Sequence, residues 1–338
     1  MLKKTIYFLL IASGALIAGF FLQPIKKGNG INTSIRYEPV QNWLHLPGDL
    51  KLGNPTGLGV DTNGNVVIFC RGNRTWPLLG SMPDKPIQHK TIYIVDKNNG
   101  TLINSWGSNL FIMPHGLKVD RENNIWVTDV GLHQVLKFSH EGKLLMKLGI
   151  AKTAGNDPLH FDGPTDVAIA RDGSFYVSDG YGNSRIIKFS ATGNYLFEWG
   201  KKGSRESEFN IPHGISLDEQ ENVYVADREN NRIQLFDSTG KFIKQFSDDS
   251  FGAMCAVSFV NSKLFAVDDF TFLKVKHRGS DLFIFDTLGQ VQTRAGRSGN
   301  YKGPVSWYHA LAIDSDENIY TGDIMNNTIQ KFRKVPLK

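Results

Sequence analysis

The stretch PHGISLDEQENVYVAD, residues 212–227, holds two short apolar runs that are separated by a polar turn and closed by an aspartate. The same skeleton recurs as PHGLKVDRENNIWVTD at 114–129, PTDVAIARDGSFYVSD at 164–179 and YHALAIDSDENIYTGD at 308–323. In each copy the second residue, which we call the slot residue, lies 14 positions before the aspartate. Apolar alternation bounded by Gly, Asn and Asp is typical of β-hairpins, so each copy predicts two antiparallel strands.

Further apolar runs follow each copy and predict a third and a fourth strand. Examples are Gln134–Phe138, Arg185–Phe189 and Arg232–Phe236 for the third strand, and Tyr195–Trp199 for the fourth. Four short antiparallel strands in a unit of roughly 40–50 residues are the signature of a propeller blade. Fainter copies begin at residues 55 and 254, and they bring the number of blades to six. The slot residues are Thr56, His115, Thr165, His213, Met254 or Cys255, and His309.

Residues 28–338 are therefore predicted to form one all-β, six-bladed β-propeller, and the strand–turn–Asp units match the NHL type of repeat. The copy that begins at residue 308 supplies three strands, so a segment near residues 37–44 is expected to add the fourth and close the ring. The recurrent aspartates are expected to be structural, because Asp holds turns by bonding nearby backbone amides. They are Asp129, Asp179, Asp227, Asp268 and Asp323.

Residues 1–27 are typical of a targeting segment rather than of the fold. Lys3 and Lys4 precede an uncharged and largely apolar run over residues 5–24. This run is long for a signal-peptide core and just long enough to cross a bilayer. We expect either a signal peptide or an uncleaved N-terminal membrane anchor, and an exported body in the periplasm or outside the cell.

The formal net charge of +5 is concentrated in that segment. Four lysines and no acidic residues fall within residues 1–27, so the remainder carries only +1. A nearly neutral body has no electrostatic footprint for nucleic acid, and we exclude that class of partner. Membrane contact is expected only through the N-terminal segment, and the body is expected to be monomeric. Cys70 and Cys255 make a poor disulfide framework and are expected to be isolated thiols.

Histidine occupies the slot in every second blade. Because neighbouring blades of a six-fold ring are about 60° apart, His115, His213 and His309 should lie about 120° apart and point at one spot on the axis. Three neutral imidazoles with one open coordination position suit a catalytic zinc. Iron, cobalt or copper would also accept such ligands.

Two further residues are candidates for chemistry beside the metal. Arg71 follows the aspartate-equivalent position of blade 1, where its guanidinium could clamp a carboxylate. Tyr181 lies in the corresponding bend of blade 3, where a nearby cation could lower its pKa enough for general-base work. A purely structural role at the rim is the alternative for both.

The chain resembles the peptidyl-α-hydroxyglycine α-amidating lyase family over about residues 54–332. The resemblance is densest in five segments, residues 66–72, 109–117, 125–135, 177–186 and 225–234. It implies that His115, His213 and His309 bind zinc, that Tyr181 is the base and that Arg71 lies near it. It also implies cleavage of a C-terminal α-hydroxyglycine, in a peptide or a small molecule, to an amide and glyoxylate.

The chain departs from the family pattern at two positions beside the third histidine. The resemblance implies a calcium site built from the backbone carbonyls of Leu58 and Leu117 and from an aspartate, but Ala310 stands at the aspartate position. The expected calcium site therefore lacks its one carboxylate. Trp307 replaces a methionine and is expected to reshape the substrate pocket.

Two other functions are compatible with the fold. A lactonase-type propeller hydrolase would hold calcium through Asp, Glu and Asn on the axis, whereas three histidines favour a softer metal. A non-catalytic NHL interaction module at the cell envelope would display only a loop face to its partner, because fold alone does not fix function.

Overall fold

The computed structural model describes residues 35–48, 50–77, 81–269, 271–272, 276–277, 279–296 and 305–336. The predicted signal or anchor segment and the boundary at residues 27 and 28 lie outside these residues. Within the described part of the chain, no helix is long and apolar enough to span a membrane. Its one helical element is a short 3-10 turn, Arg228–Asn230.

Six four-stranded antiparallel sheets form the six blades, and in each blade the strand named first is the innermost. The strands of blades 1 to 3 are β2 (Pro55–Val60), β3 (Val66–Cys70), β4 (Ile92–Val95), β5 (Leu102–Trp106); β6 (Pro114–Val119), β7 (Ile125–Asp129), β8 (Gln134–Phe138), β9 (Leu144–Leu148); and β10 (Pro164–Ile169), β11 (Phe175–Asp179), β12 (Arg185–Phe189), β13 (Tyr195–Trp199). The strands of blades 4 to 6 are β14 (Pro212–Leu217), β15 (Val223–Asp227), β16 (Arg232–Phe236), β17 (Phe242–Ser247); β18 (Ala253–Val260), β19 (Lys263–Asp269), β22 (Asp281–Phe285), β23 (Val291–Gly296); and β24 (Tyr308–Ile313), β25 (Ile319–Asp323), β26 (Thr328–Pro336), β1 (Ile35–Val40). Blade 5 also carries a small hairpin of β20 (Thr271–Phe272) and β21 (Lys276–His277).

The two ends of the described chain close the ring in one sheet. Strand β1 pairs antiparallel with β26, with Val40 opposite Lys331, and so completes blade 6. This confirms the expected closure, although the closing strand ends at Val40 rather than extending to residue 44. The innermost strands of successive blades contact each other around the whole ring. Among the described strands, closure leaves no blade-to-blade gap at which another chain could pair.

Apolar side chains between neighbouring blades hold the ring together. Phe69 of blade 1 meets Phe111 at the entry to blade 2 with ring centroids 4.8 Å apart. Trp126 of blade 2 packs on Phe175 of blade 3 at 4.7 Å. All four rings are at most 1% exposed. Because burial of one such side chain stabilises the folded state by about 1.5–3 kcal/mol, these contacts stabilise the packing of neighbouring blades.

The recurrent aspartates connect the end of one strand to the segment that enters the innermost strand. In blade 2, the backbone N–H groups of Ile112 and Met113 donate to Asp129 at 2.7 and 2.9 Å. The equivalent bonds in the other four blades run from Asp162 to Asp179, Asn210 to Asp227, Gly252 to Asp268 and Trp307 to Asp323. These bonds confirm the structural role and fix the backbone just before each slot residue.

Candidate metal centre

A β-bulge at the start of each innermost strand turns the slot residue toward the axis. In blade 2, Pro114 is opposite Asp129 and Leu117 is opposite Val127, so the two residues between them have no partner in the ladder. A register shift at the same point occurs in the other five blades, and in each it leaves the slot residue without a ladder partner. Bulges re-aim side chains and are frequent beside functional sites. The bulge explains why histidines inside strands point into the channel.

The three slot histidines converge on the axis, as the alternation of blades predicted. Their ring centroids are 4.6, 4.6 and 4.8 Å apart. One ring nitrogen of each lies within 4.8 Å of the others, and the set could hold a metal ion. The rings belong to His115, His213 and His309, which are 2, 2 and 6% exposed.

Each histidine is oriented by the slot residue of the next blade. The Nδ1 atom of His115 bonds the carbonyl oxygen of Thr165 at 2.6 Å, and Nδ1 of His213 bonds that of Cys255 at 2.6 Å. The Nδ1 atom of His309 bonds the carbonyl of Thr56 at 3.0 Å. A carbonyl accepts only from N–H, so these bonds place the proton on Nδ1 and leave Nε2 with its lone pair. The bond to Cys255 also shows that this residue, rather than Met254, occupies the slot of blade 5.

The environment keeps the imidazoles in the neutral form that ligates metals. Burial lowers the pKa of all three imidazoles. The pKa of His213 falls to about 3, because the positive charges of Arg228 and Arg71 add to the effect of burial. Three nitrogens around one zinc at about 2.1 Å lie about 3.4–3.6 Å apart. The rings therefore need to close by only about 1 Å to share an ion, and the donor set fits zinc.

Tyr181 and Arg71 lie where the sequence placed them, beside the triad. The Tyr181 hydroxyl is 3.1 Å from Nε2 of His115 and 3.3 Å from Nε2 of His213. Burial raises the pKa of the phenol, and the charges of Arg228 and Arg71 oppose that rise. The Nε atom of Arg71 donates to the Pro114 carbonyl at 3.0 Å, and its buried Nη2 atom has no hydrogen-bond partner among the described residues.

Trp76 and Arg228 also belong to the site, although the sequence argument did not select them. Trp76 packs on the Tyr181 ring with centroids 4.6 Å apart and lies 5.2 Å from the guanidinium of Arg71. Arg228 follows Asp227, and its buried Nε atom makes no hydrogen bond in the described structure, although Oε1 of Glu229 lies 3.7 Å away. Tyr181 and Cys255 raise its pKa against the effect of burial. The sequence did carry a signal for Arg228, because this residue directly follows the recurrent aspartate of blade 4, just as Arg71 follows Cys70 in blade 1.

The positions of the expected calcium site line the same axial channel. Leu58, Leu117 and Ala310 surround it together with Lys118 and Asp166. Ala310 contributes no carboxylate, and Asp166 is already paired with the Lys118 ammonium at 3.1 Å. Because calcium requires six to eight oxygen ligands, usually with several carboxylates, the described channel residues do not fit it.

Cys255 of blade 5 lines the triad cavity, and Trp307 directly precedes the innermost strand of blade 6. Burial raises the pKa of the Cys255 thiol to about 12, and the Sγ–H group donates to the Ala253 carbonyl at 3.4 Å. The expected role of Trp307 in shaping the substrate pocket stays a prediction. Cys70 and Cys255 are free and buried, as expected from the sequence.

Comparison with known proteins identifies the family. The NHL repeat model matches residues 111–138, 161–189 and 209–236, which are parts of blades 2 to 4. A probable peptidyl-α-hydroxyglycine α-amidating lyase of Caenorhabditis elegans is 32% identical over 333 residues, which cover 92% of this chain and 91% of that protein. The chain belongs to the peptidyl-α-hydroxyglycine α-amidating lyase family. This confirms the resemblance, and with it the expectation of an enzyme of the lyase class.

Other members of this amidating family are longer proteins. Peptidyl-glycine alpha-amidating monooxygenase B of Xenopus laevis is 38% identical over 328 residues, which are 89% of this chain but 36% of the relative. The chain thus spans about a third of the length of the monooxygenases that it matches. A streptogramin B lyase structure shares the fold, with a TM-score of 0.58, 14% identity, and coverage of 89% of this chain and 98% of the other.

Proposed function

We propose that this protein is a zinc-dependent lyase that cleaves the C–N bond of a C-terminal α-hydroxyglycine and releases an amide and glyoxylate. Two observations support the proposal: the relatives carry that activity in their names, and three neutral imidazole nitrogens meet beside a tyrosine hydroxyl. The absence of carboxylates from this ligand set disfavours the lactonase alternative.

Arg71 and Arg228 are suited to hold the substrate carboxylate. Nη2 of Arg71 has no hydrogen-bond partner among the described residues, and Nε of Arg228 has only the Glu229 carboxylate at 3.7 Å, beyond hydrogen-bond range. A buried donor without a partner is costly, and a carboxylate from the substrate would satisfy both. Burial lowers the pKa of Arg71 to about 10, with Tyr181 and Asp129 opposing, so the group stays cationic at neutral pH.

Tyr181 is positioned to move the proton that the reaction requires. The hydroxyl of the α-hydroxyglycine loses its proton as the C–N bond breaks, and the departing amide nitrogen needs one. A phenol that donates its own proton to the nitrogen while its oxygen accepts the proton of the hydroxyl balances both transfers and is regenerated in the same step. When bound to the three histidines, zinc supplies positive charge that polarises the substrate hydroxyl. The proposal thus gives each polar group of the site a role in one step.

The experiment is the release of glyoxylate from α-hydroxyhippurate by purified protein. We expect turnover that depends on bound metal, with about one zinc per chain by elemental analysis. The variant His213→Ala should lose both, whereas His160→Ala should lose neither, because His160 pairs with Asp157 at the surface. Wild-type protein that carries zinc and releases no more glyoxylate than His213→Ala would refute the proposed reaction.

We also propose that residues 1–27 direct export of the propeller to the periplasm or the outside of the cell. The basic pair followed by an apolar run supports this location. Cell fractionation of the full chain and of a variant that lacks residues 2–27 tests it. Equal retention of both proteins in the cytoplasm would contradict it.

A further inference from the structure

A buried ion pair lies in the axial channel beside the triad, in the part of the channel that Tyr181 does not line. Lys118 of blade 2 reaches Asp166 of blade 3, and its Nζ atom is 3.1 Å from Oδ2 of the carboxylate. The Asp166 side chain is 9% exposed, and the Lys118 side chain is 23% exposed. Both residues line the channel that also holds the slot histidines.

Asp166 is held tightly by three blades at once. The backbone N–H of Ile215 in blade 4 donates to its Oδ2 atom at 3.2 Å. Gly116 of blade 2 lies so close that a Cβ atom there would be 2.8 Å from Oδ1 of Asp166. The Oδ1 atom itself is buried and has no hydrogen-bond partner among the described residues. These contacts fix the position of the carboxylate in the wall of the channel.

A carboxylate in this position requires a cation. The channel wall around it is built largely from backbone and apolar side chains, and a buried charge without a partner is strongly destabilising. Burial raises the pKa of Asp166, and the Lys118 ammonium is the main influence that opposes the rise. The next residue after each slot elsewhere in the ring is Gly57, Gly116, Gly214, Ala256 or Ala310, none of which carries charge.

We propose that the Lys118 ammonium is the resident cation of the axial channel and replaces a bound divalent ion. The proposal explains why the calcium implied by the resemblance does not fit this chain. Asp166 is the one carboxylate that the described channel offers, and the Lys118 ammonium neutralises it. A second cation would be repelled by that ammonium. The fold then needs no calcium, and Lys118 connects blades 2 and 3 at the axis.

The test compares thermal unfolding with and without calcium at one fixed zinc concentration. The wild-type Tm should be the same in calcium-depleted buffer and in buffer with millimolar calcium chloride. Lys118→Ala should lower the Tm in calcium-depleted buffer by about 5–10 °C, the loss that follows from breaking a buried pair. Calcium should restore at least half of that loss in Tm, because without the ammonium the Asp166 carboxylate is free to bind a cation.

Lys137→Ala is the matched control. Lys137 also lies 3.1 Å from a buried carboxylate, that of Asp120, and its side chain is 21% exposed, but the pair lies away from the triad cavity. Asp120 keeps hydrogen bonds from Asn124 and Trp126 when the lysine is removed. The Tm of Lys137→Ala should fall without any response to calcium.

A second variant separates charge from packing. Lys118→Ala combined with Asp166→Asn removes both charges, so it should recover stability relative to Lys118→Ala alone even without calcium. A wild-type Tm that rises with calcium would overturn the proposal, and so would a Lys118→Ala Tm equal to that of wild type. If neither calcium nor Asp166→Asn restores the Tm of Lys118→Ala, the lysine acts through its aliphatic stem and the proposal is wrong.

Discussion

Replacing Tyr181 with phenylalanine isolates the hydroxyl that we propose as the proton carrier. The hydroxyl lies 3.1 and 3.3 Å from two of the three histidine Nε2 atoms, whereas the ring is held separately by Trp76 at 4.6 Å. Phenylalanine should therefore keep the ring in place and remove only the oxygen. General acid–base groups contribute about 10²–10⁴ in rate, or about 2.7–5.5 kcal/mol of transition-state stabilisation.

Stability should hardly change in this variant. One buried hydroxyl contributes a net of about 1 kcal/mol, which corresponds to a Tm shift of about 2–4 °C at most. The kcat for α-hydroxyhippurate should fall by about 100-fold or more, with KM nearly unchanged, because the hydroxyl acts in the transition state rather than in binding. Metal content should stay at the wild-type value, since the three imidazoles are untouched.

Tyr195→Phe provides the matched control for steady-state kinetics. Tyr195 belongs to the same blade but lies on its outermost strand and is 39% exposed. That variant should be indistinguishable from wild type. A Tyr181→Phe protein that binds metal normally and keeps more than a tenth of the wild-type kcat would refute the proton-transfer role. A loss of metal in this variant would instead show that the hydroxyl supports the ligands.

Three further outcomes follow from the same contacts. Trp76→Leu should lower kcat about tenfold by releasing the ring of Tyr181, and Trp76→Phe should recover most of it, as measured by glyoxylate release. Dialysis against dipicolinate should abolish turnover, and zinc added at one equivalent should restore it. Glu317, whose pKa falls to about 2 despite burial because Lys263 and Lys334 bond it at 2.8 and 2.7 Å, should stabilise the fold by about 1–2 kcal/mol above about pH 5. The gap in unfolding free energy between wild type and Glu317→Gln should close as pH falls from about 5 to about 2, because a lowered carboxyl pKa stabilises fully only where the group is ionised in both states.

The fold could be predicted because its repeats carry the signal several times over. The bounds predicted for the third strands of blades 2 to 4 match β8, β12 and β16. The slot residue was predicted least exactly in blade 5, where the repeat is faintest. Met254 pairs with Asp268, so the slot residue of this blade is Cys255. The closing strand was located only approximately, since β1 has no aspartate or slot to mark it.

The site could be predicted where chemistry coincides with the repeat, and not elsewhere. The three histidines share one slot, and that recurrence identified them without coordinates. Trp76 was missed because nothing in the spacing separates a buried tryptophan from a surface one, and Arg228 was missed although it occupies the position in blade 4 that Arg71 occupies in blade 1. The role of Lys118 was hidden for a further reason: its partner Asp166 belongs to the next blade along the chain, and only the ring brings blades 2 and 3 together.

Histidine and non-histidine slot residues alternate around the ring. This alternation accounts for the 120° spacing of the ligands, and it also accounts for their orientation. Each histidine donates its orienting hydrogen bond to the slot carbonyl of the blade that follows, so Thr165, Cys255 and Thr56 are as much part of the centre as the rings. His309 in blade 6 relies on Thr56 in blade 1, and this bond joins the innermost strands of the first and last blades, whose connection the β1–β26 pairing completes. Because the last ligand is oriented only when the first blade is in place, the triad is complete only in the closed propeller. Metal binding should therefore stabilise closure itself, and a variant that weakens the β1–β26 pairing should lose metal affinity although none of its ligands is changed.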